Sequence, residues 1–593
     1  MGCFIGRLCA GNFQLSIVKN NKNQGGCKKM SYQEIYKKWC TDPYFDAQTQ
    51  EELKKLEGNE KEIEDRFYRQ LEFGTGGLRG MIGAGTNRMN IYTVRQATQG
   101  LANYIIAMNG QNKGVAIAHD SRIMSPEFAR EAALCLNANG IHTYLFESLR
   151  PTPELSFAVR ELGCIAGIVI TASHNPREYN GYKVYWEDGA QITPPHDKIL
   201  AEVAKVTDFS MVKTMEEDEA RAENLFSIIG TDFDDKYIAQ LKKQSIHPEI
   251  IPEAAKDMKI VYTPLHGTGN IPVRRVLREL GFTQVYVVEE QKVPDGNFPT
   301  VPYPNPEDKN AWTLALELAK KVDADIILAT DPDADRLGVH AKDTKTGEYV
   351  SFTGNMSGML IAEYILRERT KTGTMPENPA LVETIVATDM AKAVAKEYNT
   401  ALIEVLTGFK YIGEQIRLFD ETGSHHYVFG LEESYGCLAG TYARDKDAPV
   451  AVMMLCEVAA YYKLQGKTLW DAMVELYEKY GYYKEDLATV TLKGIDGSQK
   501  ITAMMNAFRE NPPKELGGFK VLACRDYKSD CRRDMITGET TSNVLYYELE
   551  NNAWCCVRPS GTEPKIKYYF GVKGENFKDA EEKLEAIKKA MTE

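Results

Sequence analysis

The chain has 593 residues, a formal net charge of −13, 43% hydrophobic and 26% charged residues. At roughly 100–200 residues per domain this length implies about three to five domains, and the composition is that of a folded chain rather than a disordered one. No uninterrupted apolar run approaches the ~20 residues of a membrane span, and the negative balance argues against a surface that coats nucleic acid or an anionic membrane. An anionic substrate would need a local basic pocket working against the overall charge. The 12 cysteines are scattered without a C-x-x-C pair, which disfavours a zinc knuckle or a thioredoxin motif and reads as reduced, cytoplasmic thiols.

Residues 1–29 carry five basic residues (Arg7, Lys19, Lys22, Lys28, Lys29) and no acidic one. Gly6 stands where a myristoylation motif needs Ser or Thr, and Arg7 breaks the only apolar stretch, against a signal peptide. A transit peptide shares this composition. The favoured reading is a disordered extension ahead of an alternative start at Met30, where SYQEIYKKW opens an amphipathic pattern. Helices are predicted over Tyr32 to Cys40 and Gln48 to Gln70. Strand, turn and helix then alternate. VAIAHD (115–120) is followed by a helix with Phe128, Ala132 and Leu136 at helical spacing. IHTYLF (141–146) and CIAGIVITAS (164–173) come next, then MKIVYTPLHG (258–267), QVYVVEE (284–290), ADIILATDPDADR (324–336), ALVETIVAT (380–388) and HHYVFGLEES (425–434). Continuous apolar runs suit strands buried on both faces, and their alternation with helices indicates parallel α/β sheets. NVLYYELENNAWCCVRPSG (543–561) and KIKYYFGV (565–572) instead read as antiparallel strands. A final helix follows, capped by Asn576, with Phe577, Ala580, Leu584, Ile587 and Met591 on one face. The domains are set at 30–225, 226–345, 346–480 and 481–593, with 1–29 outside them.

Four polar loops follow strands, one per domain, and ligands of open α/β sheets bind beyond the carboxyl ends of strands. In TASHNPREYNGYKVY (171–185), Ser173 is placed at an exposed turn. Thr171 and Asn175 replace the glycines of a nucleophile elbow, so a serine hydrolase is disfavoured. In DPDADRLG (331–338), the carboxylates of Asp331, Asp333 and Asp335 fall on one side if the backbone is extended. Three like charges repel unless a cation sits among them, and oxygen-only ligands point to Mg²⁺ or Ca²⁺. Arg336 and Lys342 occupy the Gly and Glu positions of an EF-hand loop, so that motif is absent. GLEESYG (430–436) offers paired acids and a Ser for sugar hydroxyls, although a solvated acidic turn explains it equally well. TGFKYIG (407–413) sets Lys410 between glycines. RPSGTEPKIK (558–567) combines the Arg558 fork with Ser560, Gly561 and Thr562 in a phosphate nest. No Walker loop occurs.

Together, TASHNP with Lys183, DPDADR, GLEESYG and RPSGTEPK resemble the signature loops of the α-D-phosphohexomutase superfamily, from about GTGGLRG at 74 to the C-terminus. The length, with TGFK and GLEES, is similar to the long-form phosphoglucomutase branch, which also holds phosphopentomutases and glucose-1,6-bisphosphate synthases. The resemblance implies three α/β domains with mixed or parallel sheets and a smaller C-terminal α+β domain around a central cleft. It implies an intramolecular phosphotransferase: an α-phosphoglucomutase that interconverts glucose 1-phosphate and glucose 6-phosphate through a phosphoserine and a glucose 1,6-bisphosphate intermediate. Phosphopentomutase, phosphomannomutase and glucose-1,6-bisphosphate synthase are the near alternatives, and a Mg²⁺-dependent phosphatase a more distant one. By position, Ser173 resembles the phosphoserine, and Asp331, Asp333 and Asp335 resemble the Mg²⁺ ligands together with the Ser173 phosphate. Lys183 and Arg79 resemble the residues that assist proton transfer, Lys183 as base with a pKa lowered by nearby positive charge. His174, Arg336, Gly408 and Lys410 resemble substrate contacts, Glu432 and Ser434 the readers of sugar hydroxyls, and Arg558, Ser560, Gly561 and Thr562 the cradle of the distal phosphate. Glucose 1,6-bisphosphate is the implied activator. Tyr435 and Gly436 replace the end of the GEMSGH loop of shorter members, so a histidine acid/base there is not supported. The implied partner is a small phosphosugar in the cytoplasm, with no nucleic acid and no membrane; nothing in the pattern specifies an oligomeric state.

Overall fold

The structure, a computed structural model, describes residues 30–74, 76–492, 495–529, 541–560 and 565–592. The expectations for residues 1–29, and those for Gly561 and Thr562, lie outside the described residues. The chain divides into two compact units at Arg69/Gln70.

In the first unit three helices form, Tyr32–Thr41, Ala47–Lys54 and Glu60–Phe67. Ser31 and Glu34 close a capping box on the first, and Asp46 and Asn59 cap the others, each accepting a backbone N–H that would otherwise lack a partner. The single helix predicted over Gln48 to Gln70 is thus two. The earlier helix ends at Lys54, and Gly58, at φ +86°, lies in the turn before Asn59 caps the next. The rings of Trp39 and Phe45 stack with centroids 4.1 Å apart.

From Gln70 onward the chain builds four sheets. The first contains β1 (Gly77–Met81), β2 (Val115–His119), β3 (Thr143–Phe146), β4 (Ala166–Ile170), β5 (Tyr179–Trp186) and β6 (Phe226–Ile229), in the order β1-β5-β4-β2-β3-β6. The strands β2, β3, β4 and β6 run parallel, while β5 and β1 are antiparallel additions. The second sheet, ordered β11-β10-β9-β7-β8, is made of β7 (Ile260–Thr263), β8 (Val285–Val287), β9 (Ile326–Thr330), β10 (Leu337–Lys342) and β11 (Tyr349–Phe352). The third, ordered β13-β12-β14-β15, comprises β12 (Pro379–Thr384), β13 (Ala401–Val405), β14 (His426–Glu432) and β15 (Gly436–Ala439). The fourth is wholly antiparallel, with β16 (Tyr482–Thr491), β17 (Glu515–Leu516), β18 (Phe519–Asp526), β19 (Leu545–Leu549), β20 (Ala553–Pro559) and β21 (Lys565–Gly574) in the order β16-β21-β20-β19-β18-β17.

The apolar runs β2, β4, β7 and β9 are buried along their whole length, as strands covered by helices on both faces must be. The edge strands β6 and β11 lie just beyond the boundaries set at 225 and 345. Their half-exposed residues resemble the polar linkers around them. One apolar core runs through the first three sheets and their helices; it includes Phe157, Tyr237, Leu328 and Leu431. A smaller cluster, with Ile385, Leu406, Tyr546 and Trp554, joins the third sheet to the fourth. On the final helix, Phe577–Thr592, the buried face is Ala580, Leu584, Ile587 and Met591. Phe577 departs from the predicted stripe. It remains 46% exposed and packs its ring on Trp470, Tyr477 and Tyr482.

Candidate active site

Each polar loop emerges from the carboxyl end of a strand whose apolar residues are locked in a sheet, and the first two loops meet. The Ser173 hydroxyl, after β4, donates to Asp331 Oδ2 at 2.8 Å, after β9. Ser173 is not exposed as the sequence suggested: it is 4% accessible, because the second sheet's loop covers it. Its φ of 51° places a non-glycine residue in the left-handed region, a strained conformation that its surroundings must impose. Arg122 does this. Its buried guanidinium donates to the carbonyls of Ser173 (2.6 Å), Pro176 (2.8 Å) and Tyr179 (3.0 Å), and also to that of Asn175. Asp120 balances its charge at 3.3 Å. Sequence reasoning missed Arg122; its only signal was a polar DSR at the end of β2. Arg122→Lys keeps the charge facing Asp120 but replaces the fork with a point donor. We expect kcat to fall at least about tenfold, since small displacements of a reacting group cost up to about 10². Parallel kcat and melting measurements check this, and an unchanged kcat would sink the positioning role.

Asp331, Asp333 and Asp335 are all buried, and their carboxylate oxygens lie within 4.8 Å of one another. They converge through a turn rather than through extended backbone. Asp331 to Ala334 form no strand, Ala334 adopts φ 50°, and the N–H groups of Asp335 and Arg336 both donate back to Asp331 Oδ1 at 3.1 Å. Thr152 Oγ1 donates to Asp333 Oδ2 at 2.9 Å. Lys183 Nζ bonds the same oxygen at 2.8 Å and approaches Asp335 Oδ2 at 3.5 Å. Burial opposes the Lys183 charge, but Asp333 and Asp335 outweigh it and its pKa rises. The lowered value expected of a base is therefore not found, because the dominant neighbours are carboxylates. Burial, then Asp333 and Asp335, push Asp331 well above the usual carboxylate range, whereas Lys183 overcomes burial and holds Asp333 below it. A charge on Asp331 is thus opposed by burial and by the neighbouring carboxylates. Oδ1 of Asp333 and Oδ1 of Asp335 are buried without a hydrogen-bond partner, which fits a hard divalent cation.

His174 Nδ1 lies 3.1 Å from Ser173 Oγ, and burial, then Arg336 and Arg79, keep the imidazole neutral. Arg79, on β1, donates to Asn175 Oδ1 at 3.3 Å. Arg336 pairs with Glu307 at 2.5 Å.

Glu432 is buried rather than solvated. Ser434 Oγ donates to its Oε1 at 2.8 Å. Lys446, a further residue the sequence did not reveal, sits 3.0 Å from Asp335 Oδ2 and 3.9 Å from Glu432 Oε1, so it lies between the loops that carry them. The neighbouring Glu433 accepts from Thr384 and is pushed up to about 7, by burial first and by Glu432 second. Gly408 precedes the helix Phe409–Thr422, which carries Lys410. Lys410 and Lys567 each feel the charge of Arg558, and burial lowers both pKa values. Ser560 N–H bonds Lys565 O at 2.8 Å. Lys410, Arg558 and Lys567 thus bring three cations within electrostatic reach of one another, although the carboxylates of Glu414, Asp197 and Glu433 act on the same two lysines.

Three family models match the chain in order. They are described as phosphoglucomutase/phosphomannomutase, alpha/beta/alpha domain I at residues 70–210, domain II at 235–345 and domain III at 353–480. The chain belongs to the phosphoglucomutase/phosphomannomutase family. A phosphoglucomutase of Staphylococcus aureus is 37% identical over 532 residues, which cover 89% of this chain and 94% of its own. Among solved structures, the exocytosis-sensitive phosphoprotein pp63/parafusin of Paramecium, in its open form, shares the fold with a TM-score of 0.67 at 18% identity, over 88% of this chain and 94% of that one. A phosphoglucomutase/phosphomannomutase family protein from Burkholderia thailandensis has a TM-score of 0.62 at 20% identity, over 88% and 97% of the two chains. This phosphohexomutase is accordingly an enzyme of the isomerase class, an intramolecular phosphotransferase with activity of the phosphoglucomutase/phosphomannomutase type. Among its described residues no helix is long and apolar enough to cross a membrane.

Proposed function

We propose that the protein is an α-phosphoglucomutase that interconverts glucose 1-phosphate and glucose 6-phosphate. The observation that carries the reading is the Ser173 hydroxyl held 2.8 Å from Asp331 inside a carboxylate triad with two orphaned oxygens. Exchange of a phosphoryl group between two sugar oxygens through a bisphosphate is served by a donor on the enzyme, and Ser173 is assigned that role. Phosphoserine at 173 gives its phosphoryl to the free hydroxyl of the substrate, forming glucose 1,6-bisphosphate. The bisphosphate turns over, and its other phosphoryl returns to Ser173. On that return the serine proton faces two acceptors, Asp331 Oδ2 at 2.8 Å and the neutral His174 Nδ1 at 3.1 Å.

Asp331, Asp333 and Asp335, with the Ser173 phosphate, would hold Mg²⁺, which when bound offsets charge on the transferring group. Lys183, an ammonium beside two carboxylates, acts first as the donor toward the reacting oxygen, and Arg79 screens the same face. Glu432 and Ser434 read sugar hydroxyls. Arg558, Ser560, Gly561 and Thr562, with Lys410, hold the phosphate that is not reacting, while Arg336 and His174 contact the one that is. Glucose 1,6-bisphosphate serves as activator because it rephosphorylates Ser173. A cytoplasmic setting fits the eight described cysteines, all of them free.

The test is a coupled assay with glucose 1-phosphate, Mg²⁺ and a trace of glucose 1,6-bisphosphate. Glucose 6-phosphate should accumulate without inorganic phosphate. Faster turnover of ribose 1-phosphate would replace this reading with a phosphopentomutase, and phosphate release with a phosphatase. Because one cradle serves both half-reactions, Arg558→Ala should weaken use of glucose 1-phosphate and glucose 6-phosphate alike. A charge-assisted contact of ~1.5–3 kcal/mol corresponds to about 10–150-fold in affinity. Arg558→Lys should recover only part of it, lacking the fork. If kcat/KM falls in one direction alone, after allowance for the equilibrium constant, the shared cradle is wrong.

A further inference from the structure

A cavity of about 80 Å³ opens between the helices Thr152–Glu161, Thr231–Lys242 and Asn270–Leu280, and none of its lining residues belongs to the site described above. One water needs only ~10–15 Å³, so several waters or a small ring fit. Two of its polar atoms stand out. Glu154 Oε1 and Thr268 Oγ1 have no hydrogen-bond partner, although Glu154 is 1% and Thr268 4% exposed. Orphaned polar atoms this deep are rare in folded proteins and normally face a ligand or water. The cations beside them are already neutralised. Arg150 clasps Asp234 through two bonds of 2.7 and 3.0 Å, and Arg275 pairs with Asp235 at 2.5 Å and Glu279 at 2.8 Å. Burial, followed by Asp234, with which it also shares a hydrogen bond, raises the Glu154 carboxyl well above its usual range. Ile238, Ile271 and Pro294 supply an apolar wall.

Both walls also grip the acidic loop. Thr152, two residues before Glu154, bonds Asp333 twice, through its N–H to the carbonyl at 3.0 Å and through its hydroxyl to the carboxylate at 2.9 Å. Thr268 N–H donates to the Pro332 carbonyl at 2.8 Å. A Cβ added at the adjacent Gly267 would lie 2.5 Å from Pro332 Cα, so this segment packs directly against the loop.

We propose that the cavity is a regulatory site for a small uncharged molecule bearing an apolar ring and a hydrogen-bond donor, and that its occupancy changes the metal affinity of the Asp331–Asp335 loop. Arg150 and Arg275 are each held in ion pairs, with Asp234 and with Asp235 and Glu279, so the cavity presents little uncompensated charge of either sign to an ionic ligand. The coupling rests on the metal reading given above; the cavity does not.

Benzamide serves as the probe and isosteric benzoate as its anionic control, titrated into the full chain by ligand-observed NMR. Ile271→Trp fills the mouth of the cavity at a residue 65% exposed, where folding is not at stake. Benzamide should bind at least about tenfold more tightly than benzoate, and at least about tenfold more tightly to the wild type than to Ile271→Trp. Saturating benzamide should shift the calorimetric Mg²⁺ dissociation constant about fivefold or more, the lower end of ordinary coupling between two sites. The proposal is overturned if benzamide does not bind, binds both proteins equally, binds no better than benzoate, or leaves the Mg²⁺ constant unchanged. If the benzamide-free protein takes up no Mg²⁺, the metal reading itself fails, while the comparison with Ile271→Trp still decides the cavity.

Discussion

Ser173→Ala is expected to abolish mutase turnover, with a loss on the order of 10⁴-fold or more, the scale on which removal of a covalent nucleophile operates. The variant loses the hydroxyl that donates to Asp331 Oδ2, the group assigned here to carry the phosphoryl. The fold should survive. The hydroxyl contributes at most ~1–2 kcal/mol through that bond, and the loop is held by Arg122 through backbone carbonyls that alanine retains. Intact-mass analysis should find a phosphate on the wild type and none on the variant after incubation with glucose 1,6-bisphosphate. Near-normal turnover, or a phosphate that persists on the variant, would remove Ser173 from the mechanism.

The second large effect is on the metal. Thorough chelation should stop activity and added Mg²⁺ should restore it. Asp333→Asn keeps an oxygen but removes a charge, and Mg²⁺ affinity should fall at least about 10–100-fold, the range already seen when an outer-shell partner is lost. Lys183 then loses its shortest ion pair and keeps Asp335 and the more distant Asp445 as counter-charges, so some stability goes with it. Asp335 still faces both Lys183 and Lys446, which should keep the variant folded. Calorimetric Mg²⁺ titration beside a melting curve separates the two losses. Full activity in a chelated sample would refute the metal site, whatever the variant does.

Local chemistry and periodicity determined a good deal of this protein. A strand buried on both faces must be a continuous apolar run, so β2, β4, β7 and β9 declare themselves, and the polar loops that follow them stand out by contrast. Alternating aspartates that directly follow a buried strand repel one another unless a cation sits among them, so a metal could be inferred from DPDADR although the backbone there turns instead of extending.

Tertiary structure alone decided which groups face one another. Ser173 and Asp331 are 158 positions apart, and only the packing of the first sheet's domain on the second brings them within 2.8 Å. Arg122, Thr152 and Lys446 lie in short polar segments without period or motif; their weight comes from the carbonyls and carboxylates that long-range packing presents to them. The same reason overturned the expectation for Lys183. A side chain's pKa depends on neighbours within a few ångströms, and the spacing of residues along a chain does not say which charges those neighbours carry.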